Sequence, residues 1–292
     1  GTVEGDGNGS IDGTVDGDDG SADGDDGSDD GSEQLEPCSR IDLVFVIDNS
    51  PSMLVEHQRV VAALDPFMVA LLDAMPEAEW HIGMLGSDNG KLVDHDSDLT
   101  DCFPNTTANY LTHVGEAGSG LLDQLQCALA GVGTAGNNDE RPMQSVISGL
   151  STLANAPGGP NEGFARPEAE LLLVVIGDED DDQGSPGGPN VWTVQLAELR
   201  DQGTDAISML GILGRDVPNA CPTPEAALPS LLGTNDLDDI EALAPFAQPT
   251  PRLTEVVESI DQHVLEDVCV ADYGDAFAAA IDSLVAACEA AT

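Results

Sequence analysis

The chain has 292 residues, of which 55 are Asp or Glu and 8 are Lys or Arg, giving a formal net charge of −47. Binding to nucleic acid or to an anionic membrane surface requires a basic face that displaces counterions, so this charge excludes both classes of partner. Hydrophobic residues make up 41% of the chain, which excludes an acidic polymer without a core.

The first 36 residues differ in composition from the rest. They contain 13 acidic residues, 10 glycines and no base, which leaves a charge of −34 for residues 37–292. Such a composition cannot bury enough apolar surface to offset the entropy lost on ordering. We therefore predict a disordered acidic Gly/Asp/Ser linker over residues 1–36 and one folded domain over residues 37–292.

One segment of this linker, from Asn8 to Asp19, matches the ligand spacing of a calcium-binding loop. Asp19 stands where that loop requires a bidentate Glu, and no apolar helix flanks the segment. A chance match within an Asp/Gly repeat is the favoured interpretation, and calcium binding here stays open.

Beyond the linker, short apolar runs alternate with segments of helical periodicity. In chain order we predict strand 41–47, helix 53–75 with a kink at Pro66 and with Val61 and Leu64 on its apolar side, strand 80–85, strand 111–114, helix 121–129, helix 142–153, strand 170–176, helix 191–200, strand 206–213, helix 237–246 and helix 273–288. This alternation predicts an α/β fold with a doubly wound, mostly parallel central sheet flanked by helices in three layers. In such sheets, ligands bind beyond the carboxyl ends of the strands.

Oxygen-bearing side chains follow two of the predicted strands. Asp48, Ser50 and Ser52 come directly after strand 41–47, and Asp178 follows strand 170–176. If these strands are neighbours, both carboxylates face one point, where they and the hydroxyls suit a hard divalent cation. The alternative for Asp48 and Ser50 is helix capping.

Two nearby acidic segments allow less specific interpretations. The run from Glu179 to Asp182 reads as a solvated acidic loop, above all for its last two residues. Asp88, after strand 80–85, is either an outer residue of the cation site or part of an exposed turn.

The pattern Asp48-x-Ser50-x-Ser52 with a later Asp178 resembles the metal-ion-dependent adhesion site (MIDAS) of von Willebrand factor type A domains. It is similar to the bacterial extracellular and lipoprotein branch of that family in four further ordered elements: Phe45 to Ser50, Gly133-Thr134, Glu140-Arg-Pro142, and Gly163 to Pro167 before Asp178 to Asp181. The resemblance covers most of residues 38–290 and implies a Rossmann-like three-layer fold. Pro51 departs from the family, in which glycine is usual at this position.

The resemblance implies a cation held by Ser50, Ser52 and Thr134, with Asp48 and Asp178 bound directly or through water. Ser145 and Thr152 are alternatives to Thr134. Mg²⁺ is the first expectation, with Mn²⁺ or Ca²⁺ as alternatives, and one open position would accept a carboxylate from a protein or surface ligand. Neutral hydroxyl ligands leave the cation with uncompensated positive charge, which attracts an external anion.

Six dispersed cysteines without C-x-x-C pairs favour three disulfides in an oxidising compartment over a zinc site or six buried thiols. Cys269 and Cys288 flank the last predicted helix, about 24 Å apart, which is too far for a bond. The topology instead suggests the pairs Cys38–Cys288, Cys221–Cys269 and Cys102–Cys127.

Hydrolase and phosphate-loop motifs are absent, and the five histidines are isolated, so we expect no enzyme. The leading hypothesis is an exported, metal-dependent adhesion or recognition module at the cell surface. The chain has no apolar run long enough to span a membrane. It begins at Gly1 without a leader, so either a targeting segment was removed or the sequence starts inside a longer gene product. A lipid tether upstream of residue 1, in a bacterial envelope, is part of the hypothesis. The alternatives are a structural cell-envelope domain with a vestigial metal site and a metal-assisted hydrolase using residues 178–182.

Overall fold

The computed structural model describes residues 38–136, 140–181, 184–221 and 247–290. The linker of residues 1–36, its calcium-loop match and the predicted helix 237–246 lie outside the described residues.

The described residues form helices and strands that alternate along most of the chain. In order they are β1 (Arg40–Ile47), α1 (Leu54–Ala74), β2 (Glu79–Gly86), β3 (Leu111–His113), α2 (Ser119–Val132), α3 (Pro142–Gly149), α4 (Thr152–Asn155), β4 (Glu170–Gly177), α5 (Pro189–Ala197), β5 (Ile207–Leu213), α6 (Pro251–Glu258), β6 (Gln262–Asp267) and α7 (Gly274–Ala290). A 3-10 turn, Pro51–Met53, leads into α1.

The strands form one six-stranded sheet in the order β3-β2-β1-β4-β5-β6. All neighbouring pairs are parallel except β2 with the edge strand β3. Strand β1 lies at the centre beside β4, with Ile47 opposite Ile176, so both strands end at the same edge of the sheet. The doubly wound α/β prediction is confirmed.

Alternation along β1 divides the core into two layers. Phe45 and Ile47 face a layer containing side chains of α1, α2 and α7. Val44 and Val46 face the layer that contains side chains of α3, α5 and α6. Within the part of the chain that the structure describes, no helix has the length and hydropathy that crossing a bilayer requires.

Two sequence predictions need correction, while the predicted helix that contains Pro66 is present as α1. Helix α3 ends at Gly149, and Ser151 begins the separate short helix α4 by accepting a hydrogen bond from the Ala154 amide. On α1, Val60 is buried and Val61 is 45% exposed, so the apolar face begins one residue earlier than predicted.

Two elements, α6 and β6, were not predicted. Helix α6 is only eight residues long, below the length at which periodicity is informative. Strand β6 lies at the sheet edge, and its sequence, QHVLED, carries two apolar residues between polar ones.

Disulfides join the three suggested pairs, Cys38–Cys288, Cys102–Cys127 and Cys221–Cys269. The first connects Cys38, two residues before β1, to the last helix, across 250 residues of sequence. Bonds of this kind belong to an oxidising compartment.

We expect replacement of Cys38 and Cys288 by serine to lower the free energy of unfolding by about 2–4 kcal/mol, because the bond restricts a very long loop in the unfolded chain. Denaturant unfolding under non-reducing conditions measures the change. The control is the double replacement Cys102→Ser/Cys127→Ser. The disulfide that it removes closes a loop of only 25 residues, so the free energy of unfolding should fall by less. A larger loss in the control would contradict this account.

Candidate metal centre

The loop after β1 is bent so that its oxygens converge. Asp48 continues the sheet through its amide, which donates to the Ile176 carbonyl at 2.9 Å. One carboxylate oxygen of Asp48 accepts the Ser50 amide at 2.7 Å, which closes a tight turn. Pro51 then starts the 3-10 turn, where its fixed φ suits a helix start. The departure from the family at Pro51 therefore fits the local structure.

Four of the five predicted ligand residues meet at this point. The Ser50 and Ser52 hydroxyls lie 2.8 Å apart, and the Ser52 hydroxyl lies 3.2 Å from Oδ1 of Asp178. Asp48, Ser50 and Asp178 are each at most 3% exposed. Ser50 is the residue before the 3-10 turn Pro51–Met53, and no side chain caps that turn, so helix capping does not explain these residues.

The fifth residue, Thr134, is carried by a neighbouring loop. The Gly136 amide donates to the Asn49 carbonyl at 2.8 Å, which docks this loop against the loop after β1. A Cβ at Gly136 would lie 2.3 Å from the Asn49 side chain, so the approach requires glycine. The Thr134 side chain is half-buried, and no hydrogen bond from it to other described residues is present.

The two alternatives to Thr134 lie elsewhere. The Ser145 hydroxyl is used within the fold, donating to the Gly86 carbonyl at 2.6 Å and accepting from the Gly90 amide. Thr152 is exposed and is the first residue of α4. It follows the C-terminus of α3, whereas Asp181 contacts the N-terminus of that helix.

Sequence reasoning missed two further acids that surround Asp48. Glu140 is 5% exposed, and its Oε1 has no hydrogen-bond partner. Glu56, in the first turn of α1, is fully buried, and neither of its carboxylate oxygens is hydrogen-bonded. Its nearest base is Arg59, at 3.9 Å. Oδ2 of Asp48 is also buried without a partner.

The pKa values reflect this crowding of carboxylates. Burial, and then the charge of Asp48, raises the pKa of Asp178 and that of Glu140 well above the usual range. Burial raises the pKa of Glu56 to about 7. Among the described residues, no Lys or Arg forms an ion pair with Asp48, Asp178 or Glu140. A buried group of acids without a base calls for protons or a cation.

Hydrogen bonds hold the loop from the remaining sides. His57, whose pKa is lowered by burial, donates from Nε2 to the Asp48 carbonyl at 3.1 Å. The Asn49 amide donates to the Asp88 carboxylate at 2.9 Å. Asp88 is exposed and thus lies at the rim, in contact with the loop rather than with its centre. The Ser87 hydroxyl lies between Asn49 and Glu140 and hydrogen-bonds to the Glu140 carboxylate.

Two aspartates of the acidic run after β4 accept hydrogen bonds from helix N-termini. Asp181 is buried and accepts the Met143 amide at 3.0 Å, which caps α3. Asp180 accepts the Arg252 and Leu253 amides at the start of α6. The interpretation of Asp181 as part of a solvated loop is therefore wrong, because its carboxylate satisfies a helix N-terminus. Asp182 lies outside the described residues.

Of the described residues of this run, Asp178 therefore points to the cation site while the next two aspartates cap helices. A second metal held by Asp180 or Asp181 would have to break those caps. This arrangement weakens the hydrolase alternative.

The fit of a cation can be judged from the oxygens themselves. Octahedral ligands about 2.1 Å from Mg²⁺ lie about 3.0 Å from their neighbours. The Ser50–Ser52 and Ser52–Asp178 distances of 2.8 and 3.2 Å bracket that value. Together with the unpartnered Oδ2 of Asp48, this donor set fits a small divalent cation.

Comparison with solved structures returns several chains of low sequence identity. BatB from Bacteroides thetaiotaomicron shares 16% identity, with 85% of this chain and 99% of that chain covered and a TM-score of 0.42. A von Willebrand factor type A protein from Catenulispora acidiphila shares 11%, over 85% and 42% of the two chains, with a TM-score of 0.40.

A third match is proximal thread matrix protein 1 from the mussel byssus, in a structure whose MIDAS motif is occupied by zinc. It shares 12% identity over 87% of this chain and 47% of that chain, with a TM-score of 0.39. This chain thus spans about half the length of that protein. No protein-family model and no curated protein sequence matches the chain.

Proposed function

We propose that this chain, which has the fold of a von Willebrand factor type A domain, binds a divalent cation and through it an acidic group of a protein or surface ligand. The observation that carries the proposal is the set of buried carboxylates of Asp48 and Asp178 beside two hydroxyls, with no base paired to either acid among the described residues. When bound, the cation would supply a positive charge that an external oxygen can share.

Mg²⁺ is the first candidate, with Mn²⁺ and Ca²⁺ as alternatives. The observed 2.8 and 3.2 Å suit octahedral Mg²⁺ or Mn²⁺ and also the closer equatorial spacing of seven-coordinate Ca²⁺, so titration decides among the three.

A role in recognition, and none in catalysis, fits how the acids are used. Asp178 is left for the cation while Asp180 and Asp181 cap helices, so these two aspartates are not available to a second metal. The three disulfides support export to an extracellular or cell-surface location, with a lipid tether upstream of residue 1 as part of the same proposal.

Calorimetric titration of the full chain with Mg²⁺, Mn²⁺ and Ca²⁺ tests the cation site. We expect saturable one-site binding, weakened at least about 10-fold in Asp48→Ala. The variant also defines the background from acidic residues elsewhere. Equal binding by the two proteins would reduce the motif to a structural loop and favour the envelope-domain alternative.

The open coordination position has a separate test. Bound Mn²⁺ that keeps an exchangeable water increases the relaxation rate of the water protons. We expect that increase for the wild-type chain and its loss in Asp48→Ala. Tight Mn²⁺ binding without it would indicate a closed, structural metal.

A further inference from the structure

The carboxylate of Glu140 is built into the fold at the edge of the metal centre. The residue lies two positions before the start of α3 and is 5% exposed. Its Oε2 is fixed by the Ser87 hydroxyl, which also lies 3.0 Å from Oδ1 of Asn49. Its Oε1 has no hydrogen-bond partner, although it is buried. A buried carboxylate oxygen left in this way costs free energy unless a proton or a cation satisfies it.

Helix capping does not account for Glu140. An acid next to the first turn of a helix commonly accepts the free amides there. In α3 those amides are taken by other residues: Asp181 accepts the Met143 amide at 3.0 Å, and Ser185 accepts the Gln144 amide at 2.7 Å. Glu140 is therefore free to face Asp48.

The Glu140 side chain faces the loop after β1, which carries Asp48. The Glu140 and Asp48 carboxyl groups are close enough to hydrogen-bond to each other when one of them carries a proton. Oδ2 of Asp48, the other unpartnered oxygen at this edge of the sheet, is buried as well. Thr134, in contrast, is only half-buried, so solvent can satisfy its hydroxyl without a cation.

We propose that Glu140, and not Thr134, supplies the oxygen from this part of the chain to the divalent cation. The inference rests on the proposed function and changes its chemistry. With Asp48, Asp178 and Glu140 together, three negative charges surround two positive ones. The bound cation then attracts an external anion less strongly, and a ligand carboxylate that binds here needs neighbouring bases of its own.

The test compares Glu140→Gln with Thr134→Val in the full chain by Mn²⁺ and Mg²⁺ titration. Both replacements are nearly isosteric. Thr134→Val removes the candidate hydroxyl oxygen, and Glu140→Gln removes the negative charge of the candidate carboxylate. We expect Glu140→Gln to weaken cation binding at least about 10-fold and Thr134→Val to change it less than about 3-fold. Glu77→Gln is the charge-matched control, since Glu77 is exposed and precedes β2 at the opposite end of the sheet.

A melting curve distinguishes loss of a ligand from misfolding. Without metal, the wild-type fold must hold Glu140 either protonated or as a buried charge, and Gln avoids both costs, so the melting temperature of Glu140→Gln should rise by about 2–4 °C. With saturating Mg²⁺ the variant should gain less than the wild type does. A variant that melts lower without metal has lost structure, which would overturn the assignment.

The remaining outcomes separate this inference from the proposed function. If the wild type binds a cation and Thr134→Val loses as much affinity as Glu140→Gln, or Glu140→Gln loses none, the assignment of Glu140 is wrong while the cation site stands. If the wild type shows no saturable binding, both proposals fail.

Discussion

Replacement of Asp42 by alanine is expected to lower the free energy of unfolding by about 3–5 kcal/mol. Asp42 is fully buried near the start of β1, and two arginines share its carboxylate. Nε of Arg166 lies 2.9 Å from Oδ1, and Nη1 of Arg200 lies 2.8 Å from Oδ2. The Arg166 amide also donates to Oδ2, at 2.8 Å. Without Asp42, the buried guanidinium of Arg200 would have no ion-pair partner among the described residues, and Arg166 would keep only the half-exposed Glu79 at 3.1 Å.

Denaturant unfolding measures this loss, and Glu168→Ala is the matched control. Glu168 pairs with Arg40 at 2.9 Å, but both side chains are more than a third exposed, so its removal should cost less than about 1 kcal/mol. Asp42 precedes Asp48 by six residues of extended chain, about 20 Å, so the folded variant should bind the cation normally. A similar small loss in both variants would show that the buried cluster contributes little.

Arg166 illustrates what the sequence can and cannot reveal. Its segment, Gly163 to Pro167, was recognised as a family pattern, with no physical role attached. The structure gives the role: Arg166 reaches the carbonyls of Ile41 and Glu79 as well as Asp42, and so ties the start of β1 to that of β2. A contact between residues 124 positions apart has no local signal in the sequence.

The central part of the metal centre was predictable because it depends on strand ends. A buried strand followed by polar residues places Asp48 and Asp178 at one edge once the strands are neighbours, as the pairing of Ile47 with Ile176 shows. The surrounding acids were not predicted, because their burial depends on the packing of other elements. Glu56 did leave a signal. It lies four residues before Val60, on the stripe of α1 that the structure buries.

The acids around Asp48 also determine how stability should depend on pH. Glu56 has a pKa of about 7 in the folded chain, against an ordinary value of 4.5, and burial raises the pKa values of Asp178 and Glu140 as well. The folded state therefore binds more protons than the unfolded state does above about pH 4.5. Stability is fully present below that pH and is lost as the pH rises through the folded-state pKa values.

With a chelator present to remove metal ions, we therefore expect the free energy of unfolding to fall between pH 5 and pH 8. Glu56 alone should account for at most about 3 kcal/mol of this fall. With saturating Mg²⁺ the decline should be much smaller, because the cation binds the deprotonated carboxylates and stabilises the folded state increasingly as they ionise. Denaturant unfolding at several pH values, with and without Mg²⁺, measures both curves.

Two variants assign the effect to the buried acids. Glu56→Gln should flatten the decline in chelator, because it removes a group that must lose its proton inside the fold. Glu77→Gln, at an exposed position, should leave the slope unchanged and so corrects for the general repulsion of a chain with a charge of −47. Stability in chelator that rises from pH 5 to pH 8 would mean that these carboxylates are already ionised and solvated, and the need for a cation at this edge of the sheet would disappear with it.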